Sequence, residues 1–189
     1  STFSSSVQGY SYVHYAGHGY YHWRDPIQSG LQLADKTYTL SDILSDLELS
    51  SCRLVTLSAC ETGITEFQNA PDEYVGLPAG FLQAGAPAVI STLWAVNDLS
   101  TMLLMEHFYR LHLQDGLEIA AALRQAQLWL RDVTAGELVN RFGHEAQQLM
   151  TRMTKEEALT HWYRFEQMDD GERPFAHPYY WAAFTFTGA

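Results

Sequence analysis

Leu54-Val-Thr-Leu-Ser-Ala-Cys60-Glu-Thr-Gly63 is the stretch from which the rest of the chain is read. Leu54 to Ala59 is a short apolar run with two β-branched members, preceded by Arg53 and followed by a glycine-containing turn. That reads as a strand buried on both faces, as strands of a parallel sheet are. Cys60 then stands at the strand's carboxyl end, where open α/β sheets keep their chemistry. Gly63 lets the backbone turn sharply after it. A second stretch has the same build: Tyr12-Val-His-Tyr-Ala16 is strand-like and ends on Gly17-His18-Gly19. Two strand ends, one carrying a thiol and one an imidazole, suggest a Cys/His nucleophilic pair.

The bulk composition narrows the classes. The chain has 189 residues and is 47% hydrophobic, enough for one domain with a sizeable core and too apolar for disorder. A net charge of −11 with no basic run argues against direct contact with nucleic acid or an anionic membrane, both of which need clustered Lys and Arg. An acidic surface favours a basic substrate or partner. Cys52 and Cys60 stand eight residues apart along an extended backbone, too far to bridge within it. There is no CxxC, no HExxH and no zinc-type ligand set, and neither a Walker loop nor a GxGxxG follows any strand, so neither metal nor cofactor is expected. A free nucleophilic thiol suits a reducing cytoplasm. No apolar run approaches the length of a transmembrane helix, and Ser1-Thr-Phe-Ser-Ser-Ser6 has no signal-peptide character.

Taken in order, the chain alternates strand and helix. A helix tail over residues 1–8 ends at Gly9, and a strand follows over 10–16. Residues 17–30 form a loop over the sheet's carboxyl edge, and residues 31–34 and 37–39 form a small hairpin. Ser41 caps a helix near 42–48. The central strand gives way to a polar loop from Glu61 to about Tyr74. A short helix over 77–83 stops at Gly85, and Ala88 to Trp94 is a third buried strand. Ser100 caps a helix over about 101–113 whose apolar face is Leu103, Leu104, Phe108 and Leu111; a second long helix spans 118–131. Residues 136–170 carry helical spacing at Leu138, Phe142, Leu149, Met153, Leu159 and Trp162, and read as helices inserted at the surface. A last strand covers 180–187. The alternation predicts an α/β fold: a mostly parallel sheet with helices on both faces. The first strand already carries a candidate catalytic residue and is left with an open edge, so one or more strands are expected upstream of this chain.

Five segments together resemble the CHAT domain, a caspase-like and separase-like peptidase module often associated with TPR repeats: His14-Tyr-Ala-Gly-His18-Gly19, Leu57-Ser-Ala-Cys-Glu-Thr-Gly63, Leu77 to Ala86, Ser91-Thr-Leu-Trp-Ala-Val-Asn-Asp98 and His177-Pro-Tyr-Tyr-Trp-Ala-Ala-Phe184. They occur in family order over nearly the whole chain. The resemblance implies a caspase-like cysteine peptidase fold in which two strands precede the His-bearing one. Residues 1–189 would then be the C-terminal major part of the domain, with the helical insertion at about 136–170. It also implies a protein substrate and an upstream TPR-type or other regulatory region.

On this reading Cys60 is the nucleophile. A free thiol has a pKa of roughly 8.5, and a neighbouring imidazole raises the thiolate fraction. His18, between two glycines that let the backbone approach a substrate, is the general base and acid. His14 lies inside the strand and is assigned to packing. Carried over from caspase-like enzymes, the Gly19 and Cys60 N–H groups form the oxyanion hole. Asp98 resembles the separase residue that binds a P1 arginine in the S1 pocket; the alternative is an acidic residue favouring a helix N-terminus. Glu61 is a lesser candidate for orienting substrate. Trp94 belongs to an aromatic set with Tyr179, Tyr180, Trp181 and Phe184 that is core by default, with one or two members available to line a subsite. The main expectation is a gated cysteine endopeptidase cleaving a specific protein after a basic residue. The rival is a non-catalytic interaction module that keeps the fold.

Overall fold

The computed structural model describes residues 2–59, 76–144 and 154–189. The chain forms two compact units, residues 1–101 with 182–189, and residues 102–181.

The first unit is built on a four-stranded sheet. Its strands are β1 (Tyr12–Gly17), β5 (Leu54–Ala59), β6 (Ala88–Thr92) and β7 (Phe184–Gly188), in the order β1-β5-β6-β7. β1, β5 and β6 run parallel, and β7 lies antiparallel to β6. All six residues of β5 and all five of β6 are buried, which is why neither run carries a charged residue. On one face, Val13, Val55, Leu57 and Val89 pack into a cluster with Leu40 and Ile43 of α2 (Leu40–Asp46) and Leu77 and Phe81 of α3 (Leu77–Gln83). α1 (Thr2–Val7) adds Phe3 and Val7 to its margin. β1 is an edge strand among the described residues. The hairpin expected after residue 30 is present as the antiparallel pair β3 (Gly30–Gln32) and β4 (Thr37–Thr39), and the segment expected as a loop over 17–30 adds a third strand, β2 (Gly19–Tyr20), antiparallel to β3.

Three boundaries differ from the sequence reading, each because a neighbouring residue makes a better hydrogen bond. Thr39, not Ser41, caps α2: its hydroxyl accepts from Asp42 N at 3.1 Å, and the Asp42 carboxylate accepts from Thr39 N at 2.9 Å, a reciprocal box that satisfies two otherwise orphaned donors. Asn97, not Ser100, caps α4 (Asp98–Tyr109): Asn97 Oδ1 accepts from Ser100 N at 3.1 Å. The last strand starts only at Phe184, because Pro178–Trp181 turns as a short helix, α8. Pro178 suits a first helical turn, and Trp181 Nε1 donates to Ala176 O at 3.2 Å. Gly85 does stop α3, with a φ of 107° that only glycine adopts without strain.

The second unit is helical: the end of α4, continued by a π turn at Arg110–Gln114, then α5 (Ile119–Asp132), α6 (Ala135–His144), α7 (Lys155–Glu166) and α8. Leu103, Leu104, Phe108 and Leu111 are buried as their spacing predicts, and so are Leu138 and Phe142. Leu159 is 44% exposed; Ala158 and Phe165 hold the buried face of α7 instead. The Phe165 ring lies 5.8 Å from that of Phe142 and 6.1 Å from that of Phe175. Leu149 and Met153 lie outside the described residues. Among the described residues, no helix is long and apolar enough to cross a membrane.

A buried histidine marks this unit. His107 stacks on Trp129 with ring centroids 4.2 Å apart, and Arg110 donates to its Nδ1 at 3.2 Å. Arg141 covers the Trp129 ring at 5.3 Å and bonds Glu106 at 2.7 Å. Burial first, then the charges of Arg110 and Arg141, push the His107 pKa down to about 4, against a small opposing pull from Asp115. The unfolded chain therefore takes up a proton near pH 6.5 that the folded chain refuses. Stability falls as the pH drops from about 6.5 towards 4, by roughly 2–3 kcal/mol at pH 4.5. In urea unfolding at pH 7.5 and 4.5, His107→Phe is expected to lose less stability on acidification than the parent by about that amount. An equal loss in both would remove His107 as the cause.

Candidate active site

The site grows from the parallel pairing of β1 and β5. Their register runs from Tyr12↔Leu54 to Gly17↔Ala59. His18 follows Gly17 in the chain and Cys60 follows Ala59, so the two strands end together just before the two residues that carry the candidate chemistry. Cys60 and Glu61 themselves lie outside the described residues, as does the loop expected over 61–74.

His18 is held by its backbone and open at its side chain. Its carbonyl accepts from Gln32 N at 2.8 Å. The Tyr15 hydroxyl lies 3.0 Å from the same carbonyl and 2.7 Å from Gln32 O, sharing one proton between them. Burial pushes the Tyr15 phenol above its ordinary pKa, which keeps that proton in place. The imidazole, by contrast, is exposed. A fixed backbone and an accessible ring are what a general base needs.

Gly19 pairs with Leu31. The neighbouring pair, His18 and Gln32, is the hydrogen-bonded one, through Gln32 N to His18 O. Antiparallel ladders alternate, so Gly19 and Leu31 form a non-hydrogen-bonded pair and the Gly19 N–H points away from β3. That leaves it oriented towards something other than the small sheet, as an oxyanion donor would be.

His14 is placed differently. Its Nε2 is hydrogen-bonded to Ser58 Oγ at 2.7 Å, and Ser58 Oγ also lies 3.3 Å from Tyr15 O. Desolvation holds this ring below the ordinary histidine pKa. The result is a hydrogen-bonded tie between β1 and β5 where the sequence suggested packing alone.

Trp94 and Asp98 follow β6, the strand on the other side of β5. Trp94 is half-buried. Asp98 is exposed at the first position of α4, directly after its cap Asn97. An exposed carboxylate there favours the helix dipole and is also open to a guanidinium, so both sequence readings persist. Two contacts had no signal in the sequence. Ser58 ties His14, and Thr92 at the end of β6 donates its hydroxyl proton to the Ala59 carbonyl. The second cysteine, Cys52, is buried, its thiol donating to Leu54 O at 3.3 Å, and burial pushes its pKa up; it is not a competing nucleophile. Among the described residues, no group of three or more His, Cys, Asp or Glu stands close enough to hold a metal ion.

A family model described as the CHAT domain matches residues 1–189, the whole chain. The chain belongs to the CHAT domain family. The CHAT domain's fold is caspase-like, and the mostly parallel sheet with its helices is that α/β arrangement. No curated protein matches this CHAT domain significantly.

Proposed function

We propose that this CHAT domain is a cysteine endopeptidase with Cys60 as nucleophile and His18 as general base and acid. The observation that carries the reading is the register of β1 and β5, whose last pair, Gly17↔Ala59, immediately precedes His18 and Cys60. His18 takes the thiol proton. The thiolate attacks the scissile carbonyl carbon, and the Gly19 and Cys60 N–H groups receive the oxyanion. His18 then delivers the proton to the leaving amine, and water hydrolyses the acyl-enzyme after giving a proton to His18. Asp98, aided by Trp94 and Glu61, selects the residue before the scissile bond, an arginine that a carboxylate can hold bidentately. The substrate is a protein. A net charge of −11 supports a basic one, and the family resemblance supports gating by an upstream TPR-type region in a reducing, cytoplasmic setting.

The test labels the protein with an arginine-directed and an aspartate-directed acyloxymethyl ketone and locates the adduct by mass spectrometry. The expected result is an adduct on Cys60 from the arginine probe. It should be absent in Cys60→Ala, and in Asp98→Ala formed at least about tenfold more slowly, as loss of a charge-assisted pair implies. Preference for the aspartate probe would overturn the role of Asp98 alone. Labelling by neither probe, in folded protein joined to its upstream region, would overturn the peptidase reading in favour of a non-catalytic module.

A further inference from the structure

The proposed general acid shares one side of the small sheet with an exposed aromatic ring. His18 O accepts from Gln32 N at 2.8 Å, and β2 continues with Gly19 opposite Leu31 and Tyr20 opposite Gly30. Alternation along an extended strand puts the side chains of His18 and Tyr20 on the same face, with their Cα atoms about 6–7 Å apart. Tyr20 is 56% exposed, and the glycine across from it offers no side chain to cover the ring. The Tyr20 ring meets the His22 ring nearly edge-on, with centroids 6.0 Å apart. His22 is fixed in turn: its backbone N–H donates to Oγ of the buried Ser29 at 2.9 Å, and its Nδ1 accepts from Asp25 N at 2.9 Å. Trp23 is also exposed, but its ring packs at 4.8 Å on that of the buried Tyr21, so it goes with Tyr21 and not with the His18 side.

An exposed aromatic ring backed by a fixed neighbour offers apolar area with little left to order on binding. In the proposed reaction His18 gives a proton to the leaving amine, which is the nitrogen of the substrate residue just after the scissile bond. That residue therefore stands within hydrogen-bond reach of the His18 ring, on the face that carries Tyr20. We propose that Tyr20 forms the subsite for the residue immediately after the scissile bond and that this residue is apolar. The inference rests on the peptidase reading and extends it from the residue before the bond, assigned to Asp98, to the residue after it.

The test uses the protein joined to its upstream region and two internally quenched peptides. Both carry arginine before the scissile bond; one has leucine directly after it and the other glycine. The readout is kcat/KM, which reports the steps up to loss of the amine. The unsubstituted protein should prefer the leucine peptide by about tenfold, the scale of a modest apolar contact. Tyr20→Ser should lose most of that preference by slowing the leucine peptide, with the glycine peptide within about twofold. Tyr20→Phe, which keeps the ring, should retain it. An arginine chloromethyl ketone, from which the thiolate displaces only chloride, places no residue on that side, so it should inactivate all three proteins at rates within about twofold. No preference in the unsubstituted protein, or a preference that survives Tyr20→Ser, would overturn the subsite. Equal slowing of both peptides and the ketone in Tyr20→Ser would also overturn it, leaving Tyr20 as a support of the site's structure. If the unsubstituted protein neither cleaves a peptide nor reacts with the ketone, the peptidase reading itself has failed and the subsite falls with it, a pattern distinct from the others.

Discussion

His18→Ala is expected to slow capture of Cys60 by the arginine-directed ketone by about 10²–10⁴-fold at neutral pH, the range for removing a general base. Without an imidazole to take its proton, the thiol is left near its ordinary pKa of roughly 8.5. The rate of the variant should therefore climb as the pH rises through that value, while the parent is already active below it. His14→Ala is the control. Its Nε2 is hydrogen-bonded to Ser58, so its loss should cost about 1 kcal/mol of stability and leave the pH profile where it was. If His14→Ala abolished labelling and His18→Ala did not, the dyad would have to be redrawn around the inner histidine. The measurement is the inactivation rate from pH 5 to 10 for the three proteins.

The largest stability effect is expected at Phe81. α3 links the segment after β5 to β6, and Phe81 is 1% exposed in the cluster that joins Val55, Leu57 and Val89 to Leu40 and Ile43. The two helices here approach closely: a Cβ on Gly80 would come within 2.3 Å of Leu40 Cδ1. Phe81→Ala should destabilise by about 3–5 kcal/mol, a large share of the roughly 5–15 kcal/mol that holds a domain folded. Urea unfolding followed by circular dichroism reads it as a lower midpoint. A loss under about 1 kcal/mol would mean that the α2–α3 contact collapses to fill the space.

The buried strands were plain in the sequence because burial on both faces leaves no charged residue in the run, only apolar and small hydroxyl side chains. Leu54–Ala59 and Ala88–Thr92 are of this kind. The motif residues that carry the family resemblance likewise sit in local stretches, and the ends of β1 and β5 follow from where those stretches stop. Helix bodies were legible for the same reason: Leu103, Leu104, Phe108 and Leu111 recur at helical spacing and are buried. Caps were misjudged where two hydroxyl or amide residues lay within reach. Thr39 outcompetes Ser41 because Asp42 can return its bond, a reciprocity that depends on the backbone path into the helix.

The sequence by itself determined the class of fold, the CHAT family and the two residues proposed to do the chemistry, since each is written in a contiguous run. Only the tertiary structure decided what His14 is tied to. The sequence sets His14 inside the strand and His18 just past its end, but it does not give the partner of His14: Ser58 is forty-four residues away along the chain. The same holds for the outward Gly19 N–H, which follows from the ladder alternation between β2 and β3, and for Thr92, whose hydroxyl meets Ala59 across thirty-three residues. Such contacts depend on strand order and register. No local pattern of residues specifies these, because they arise when separate runs pack side by side in one sheet.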